Sequence, residues 1–151
     1  MDFRRILAVS WLTRYCDNTL KAGISLSQKY QTELSILHVM DTTWLKGWNL
    51  PMVAIEEELK RDMQMRKSEL HKIIHAEKKK GLDIKEIVKE GIPSQVILQT
   101  IKEEHVDLLV LRSHEESRIE HFLVGGSNDE IIRAMPCSIF LVRPEACGVE
   151  S

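Results

Sequence analysis

Cysteine is scarce in this sequence, and what there is has no pattern. Cys16, Cys137 and Cys147 are odd in number and include no Cys-x-x-Cys pair. A disulfide framework or a structural zinc site is therefore not expected. The thiols read as reduced, with Cys137 half-buried where a strand begins. Long apolar runs are also missing, and none reaches the roughly 20 residues a membrane-spanning helix needs. The apolar stretch that follows Met1-Asp2-Phe3-Arg4-Arg5 is only about five residues long, too short for a signal-peptide core. A cytoplasmic protein is the expectation. Nor does one sign of charge dominate. The 21 basic and 23 acidic side chains leave a net charge of −2, and they are interspersed. That excludes the basic footprint of a nucleic-acid-binding surface. There is no internal repeat, low-complexity tract or interdomain linker. No P-loop or nucleophile elbow occurs, which removes the two commonest phosphate and hydrolase signatures.

What remains is a chain of 151 residues, 43% of them hydrophobic, enough for one folded domain with a real core. Its pattern alternates strand and helix from end to end. Arg5 to Val9 and Leu34 to Val39 are short apolar runs of the kind buried on both faces. Between them a helix capped by Asp17 or Asn18 runs to about Tyr30, with Leu20, Ile24 and Ser27 on one side. A long helix follows over about Ile55 to Lys80, with the stripe Ile55, Leu59, Met63, Leu70 and Ile74. Glu56-Glu57-Glu58 and Lys78-Lys79-Lys80 complement its dipole, and Gly81 ends it. Ile84 to Val88 is a less apolar strand, expected near an edge. Pro93 opens a helix to about Glu104. Asp107 to Leu111 is the most hydrophobic strand and is expected to be central. Ser127 and Glu130 have capping-box spacing for a helix to about Met135, stopped by Pro136. Ser138 to Val142 is the last strand. The order β-α-β-α-β-α-β-α-β predicts a doubly wound α/β fold with a mostly parallel five-stranded sheet and helices on both faces. Ligands of such sheets sit beyond the strand C-termini at the switch point. That places a site near Ser10, near Val39 to Asp41, and near Arg112 to Ser127.

Four stretches resemble the universal stress protein family. Arg5-Ile6-Leu7-Ala8-Val9-Ser10 looks like its opening strand, and Glu33 to Val39 like its second. Gly91-Ile92-Pro93 resembles its turn before the third helix. Asp107 to Arg143 resembles its C-terminal signature, including Gly125-Gly126-Ser127 through Arg143. The resemblance implies a domain over residues 1–144 of the adenine nucleotide alpha hydrolase-like kind, with a polar tail at 145–151. It also implies a homodimer, often paired through the last strand, here Ser138 to Val142.

One branch of that family binds ATP through Gly-x2-Gly-x9-Gly followed by Ser or Thr. Glycines let the backbone approach the phosphates, and N–H groups at a helix start receive them. Laid on this chain without gaps, the motif falls on Arg112, Glu115, Gly125 and Gly126, so one glycine position of three is kept; sliding by one residue puts Gly126-Ser127 on the final pair, but at a spacing of ten from Glu115. Side chains fill the other two places. Glu115 and Glu116 add repulsion, roughly 4 kcal/mol per charge pair at about 4 Å and an effective dielectric near 20. Arg112, His114 and Arg118 offset part of it. Ser10 stands where the family commonly has an Asp that contacts the nucleoside. Val39 matches the position whose backbone often meets adenine.

The expected reading is thus a non-enzymatic, dimeric regulatory or scaffold module of the stress-response type, without tight ATP binding and without a resident cofactor. The alternative is an ATP- or AMP-binding protein with weak hydrolysis, its nucleotide held by Ser10, Val39, Arg112, His114, Gly125, Gly126 and Ser127. Gly125-Gly126-Ser127 reads more readily as a turn and N-cap than as a phosphate cradle. His114 and His121 lack a third ligand at metal-site spacing. Trp44 and Trp48 are four residues apart, as on one helical turn covering the core, and their loop is the candidate protein-partner surface. Met52, Met63 and Met65 read as core or interface filling.

Overall fold

A computed structural model describes residues 2–10, 18–40, 53–113 and 127–143. Nine elements lie within them: β1 (Arg5–Ser10), α1 (Asn18–Tyr30), β2 (Glu33–Met40), α2 (Val53–Lys79), β3 (Ile84–Glu90), α3 (Pro93–Glu103), β4 (Leu108–Arg112), α4 (Ser127–Ala134) and β5 (Ser138–Val142). The strands form one sheet in the order β3-β2-β1-β4-β5. Every neighbouring pair is parallel. The predicted α/β order and the parallel sheet are both present.

The helices divide between the faces as the strand order requires. From β1 the chain steps outward to β2 and β3, and α1 and α2 cover one face. There Leu20, Ile24, Leu70 and Ile74 pack on Ile6, Ala8, Leu34, Ile36, Ile84, Leu108 and Val110. The chain then returns past β1 to β4 and β5. With right-handed crossovers, reversing the direction moves the connecting helices to the other face. Ile97 and Ile101 of α3 and Ile131 of α4 accordingly pack on Leu7, Val9, Leu37, Val39, Leu109 and Leu111. Successive residues of a strand point to opposite faces, so the unbroken apolar runs of β1 and β4 feed both cores.

The less apolar β3 is an edge strand, as expected. The middle place, however, belongs to β1, and β4 lies one position to its side. Apolarity could not rank the two, because β1 from Ile6 onward and all of β4 are buried. Met65 is 65% exposed and is no part of this chain's core. The α2 stripe is seen at Leu70 and Ile74, both buried. The side chains of Ile55, Leu59 and Met63 lie outside the described ones, as do Met52, Asp17 and the 145–151 tail.

Local endings follow sequence chemistry. Pro93 occupies the first turn of α3. α4 closes with Met135 in the left-handed region at φ 41°, its N–H donating to the Ile131 carbonyl at 3.0 Å, one residue ahead of Pro136. The start of the sheet is pinned by Asp107, whose carboxylate accepts the backbone N–H groups of Arg4 and Arg5 at 2.8 and 3.2 Å.

Candidate functional site

The strand order reverses between β1 and β4, and a doubly wound sheet opens its ligand crevice there. The β1–β4 register runs from Ile6↔Leu108 to Ala8↔Val110. β1 continues to Ser10 and β4 to Arg112, two residues past the last registered pair. Ser10 and Arg112 therefore flank the C-terminal mouth of the crevice.

Three of the expected site residues come together at this end of the sheet. Ser10 ends β1, Val39 is one residue from the end of β2, and Arg112 ends β4; all are at least nine-tenths buried. Ser10 Oγ is buried and has no hydrogen-bond partner. A buried hydroxyl left so costs about 1–3 kcal/mol, which a hydrogen bond from a ligand would recover. Arg112, on the position of the first motif glycine, is still sheet: it pairs with Val142, and Ser113 N–H donates to the Val142 carbonyl at 2.7 Å. A strand residue with a long, buried side chain thus stands where the ungapped placement of the motif puts a glycine. Ser127 opens α4, but its side chain lies outside the described ones. His114, His121, Gly125, Gly126, Trp44 and Trp48 lie outside the described residues, as do Glu115 and Glu116.

The structure adds a group that sequence reasoning passed over. His38, fully buried, is opposite Ser10 in the β1–β2 register. Its Nε2 is 3.3 Å from Glu86 Oε1 on β3. The other oxygen, Oε2, is 2.8 Å from Nδ1 of His71, a largely exposed side chain on α2. The Glu86 carboxylate thus lies between two imidazoles, hydrogen-bonded to the exposed one and in close contact with the buried one. The signal was parity: His38 is two residues beyond Ile36, and Glu86 two beyond Ile84, at the ends of apolar rows. The ring of His75 stacks on that of His71 at 6.5 Å. Among the described residues no group of three or more His, Cys, Asp or Glu side chains is arranged to hold a metal ion.

A cavity of about 630 Å³ lies at the opposite end of the sheet, lined among others by Arg5, Glu33, Lys78, Asp83, Lys85 and Glu104. Its rim is cross-linked by Arg5–Glu33 at 3.3 Å and Lys85–Glu104 at 2.9 Å. It is a solvated polar recess at the strand N-termini, remote from the switch-point crevice. No helix among the described residues is long and apolar enough to cross a membrane.

The comparisons with known proteins agree with this architecture. A universal stress protein of Methanothermobacter thermautotrophicus is 24% identical over 143 residues, covering 93% of this chain and 96% of its own. The solved universal stress protein UspA of Lactobacillus plantarum superposes with a TM-score of 0.66 at 17% identity, over 95% of this chain and 99% of its own. An Arabidopsis thaliana family protein solved with AMP bound gives 0.57 at 14% identity, over 98% and 96%. At such identities the solved structures speak for the fold alone. The family model, by contrast, matches residues 2–143, and on that match the chain belongs to the universal stress protein family.

Proposed function

We propose that this chain is a non-enzymatic regulatory or scaffold module that works as a homodimer and does not bind ATP tightly. The observation that carries the reading is Arg112. A buried strand arginine occupies the position where the ATP-binding branch needs a glycine, so the backbone there has no room to approach a phosphate. The dimer reading is supported by β5. It is an edge strand, and Phe140 and Leu141 are 44% and 48% exposed on it. An apolar edge strand of this kind is stabilised by pairing with a second copy. Calorimetric titration with ATP tests the first part, and saturation at micromolar ATP overturns it. Light scattering tests the second. The wild type is expected to have twice the chain mass and a Leu141→Lys variant the chain mass, whereas a monomeric wild type overturns the dimer.

A second reading is favoured by one observation, the partnerless Ser10 Oγ at the crevice. In it the site takes an adenine nucleotide through its nucleoside half, with Ser10 and Val39 lining the crevice; an Arabidopsis thaliana family protein is solved with AMP bound. On this reading Arg112, His114, Ser127 and the start of the last helix hold the phosphates, and hydrolysis is weak. Nucleotide released from the purified protein on denaturation, found by mass spectrometry, is the outcome that supports this reading over the first.

A further inference from the structure

α2 packs on the sheet through Leu70 and Ile74, and a histidine follows each of them. His71 and His75 are therefore four residues apart, one above the other, about 100° round the helix from the buried stripe. Both imidazoles are exposed, and β3, which His71 meets, is the edge strand of the sheet. The two rings lie within 15° of parallel, with centroids 6.5 Å apart. One of them is tethered. His71 Nδ1 is 2.8 Å from Oε2 of Glu86. A carboxylate only accepts, so in the neutral ring Nδ1 carries the hydrogen and the lone pair is on Nε2, away from the tether. A metal-ligating histidine is held in this way, with a carboxylate fixing its tautomer from behind.

We propose that His71 and His75 form a two-histidine site for a late first-row divalent cation, the class of Ni²⁺, Cu²⁺ and Zn²⁺, with Glu86 as its positioning residue. Imidazole nitrogen suits these ions, whereas Ca²⁺ and Mg²⁺ need oxygen ligands. Two histidines at i and i+4 on one helical face can reach a single ion. As they stand, the rings are too far apart to share one. Two neighbouring imidazoles bound at about 2.0–2.1 Å have centroids roughly 4.5–5 Å apart, so the pair closes by about 1.5–2 Å on binding. His75 supplies that movement by a change of rotamer, since it is exposed and Glu86 holds the other ring. Among the described residues no group of three His, Cys, Asp or Glu side chains is assembled as ligands, so water completes the shell. Lys72, Lys78 and Lys79 oppose the cation, but they are exposed and salt screens them. Metal on Nε2 also makes Nδ1–H a stronger donor, which tightens the link from α2 to the edge strand. The site uses no residue of the switch-point crevice, and it stands whether or not a nucleotide binds there.

The test is a calorimetric titration of the full chain with NiCl₂, whose cation does not oxidise thiols, in a buffer that does not chelate it. The wild type is expected to show a saturable site at micromolar Ni²⁺. His71→Ala and His75→Ala, both at exposed positions, are each expected to abolish it. Glu86→Leu keeps both ligands and fills similar space without an acceptor. It is expected to weaken binding by about 10–100-fold and to move the His71 ring nitrogens away from the Nδ1–H tautomer in a ¹⁵N-histidine-labelled sample. His105→Asn, outside the pair, is expected to bind as the wild type does. Ni²⁺ is paramagnetic, so in the labelled wild type the rings of His71 and His75 are expected to broaden before those of the other histidines. No saturation at millimolar Ni²⁺, binding that survives His75→Ala, or broadening centred on other histidines overturns the site. Unchanged affinity and an unchanged His71 tautomer in Glu86→Leu overturn the role given to the carboxylate.

Discussion

Gly23 of α1 lies so close to Ala8 of β1 that a Cβ built on the glycine would stand 3.0 Å from the alanine's own. The same Cβ would be 3.3 Å from Leu34 Cδ1, so the nearest neighbours are a strand methyl and a core leucine. This contact sets how near α1 comes to the central strand. Gly23→Ala gains about 1 kcal/mol of helix propensity but overpacks the core by roughly 1–3 kcal/mol. A net loss of about 1 kcal/mol is expected, read as a lower urea midpoint at unchanged m-value. A midpoint equal to or above the wild type's would show that the helix can back away without cost.

Asp107 joins the beginnings of β1 and β4 by accepting two backbone N–H groups. Asp107→Ala strands both donors at a partly exposed site, and a loss of roughly 1–2 kcal/mol is expected. Asp107→Asn keeps one acceptor oxygen and should lose about half as much. Equal losses in the two variants, measured by denaturant unfolding, would mean that the charge and not the hydrogen bonding matters.

Cys137 is half-buried before β5, and burial raises its thiol pKa to about 11 from an ordinary 9.0. Near neutral pH it is therefore a sluggish nucleophile. Peptide mapping after alkylation at pH 8 is expected to show Cys137 modified far more slowly in the native protein than in guanidinium. Linkage gives the companion expectation. Between pH 9 and 11 the folded form holds a proton that the unfolded form has released, so this thiol's contribution to stability falls as pH rises through that window. In a Cys137→Ala variant that part of the alkaline decline should be missing.

Met135 adopts a conformation that favours glycine, and it is mostly exposed, so little packing depends on its side chain. Met135→Gly removes a left-handed strain of about 1–2 kcal/mol and adds roughly 0.5–1 kcal/mol of unfolded-state entropy. A gain of about 0.5–1 kcal/mol is expected by thermal unfolding. A loss would show that the side chain packs on something this chain alone does not display.

Much of the fold was legible in the sequence because its causes are local. Solid apolar runs at β1 and β4 meant burial on both faces, Pro93 and Pro136 marked helix boundaries, and the mixed polarity of β3 meant an edge. The candidate site was legible only in outline. Ser10, Val39 and Arg112 could be placed at strand ends, because strand ends follow from pattern and parallel order sends ligands there. That Arg112 is buried in the sheet, with Val142 as its register partner, needed the pairing itself. The remaining site residues, His114, Gly125 and Gly126, lie outside the described residues.

The sequence by itself determined the alternation of strands and helices and the four family-like stretches, since each can be read from neighbours in the chain. Tertiary structure alone decided which strand is central and which side chains share a face. No periodicity links residues 38, 71 and 86. They come together because parallel pairing brings β3 alongside β2, while the apolar stripe of α2 docks His71 over Glu86. Hydrophobic burial chose that arrangement, and the carboxylate between two imidazoles is what it left on the polar side.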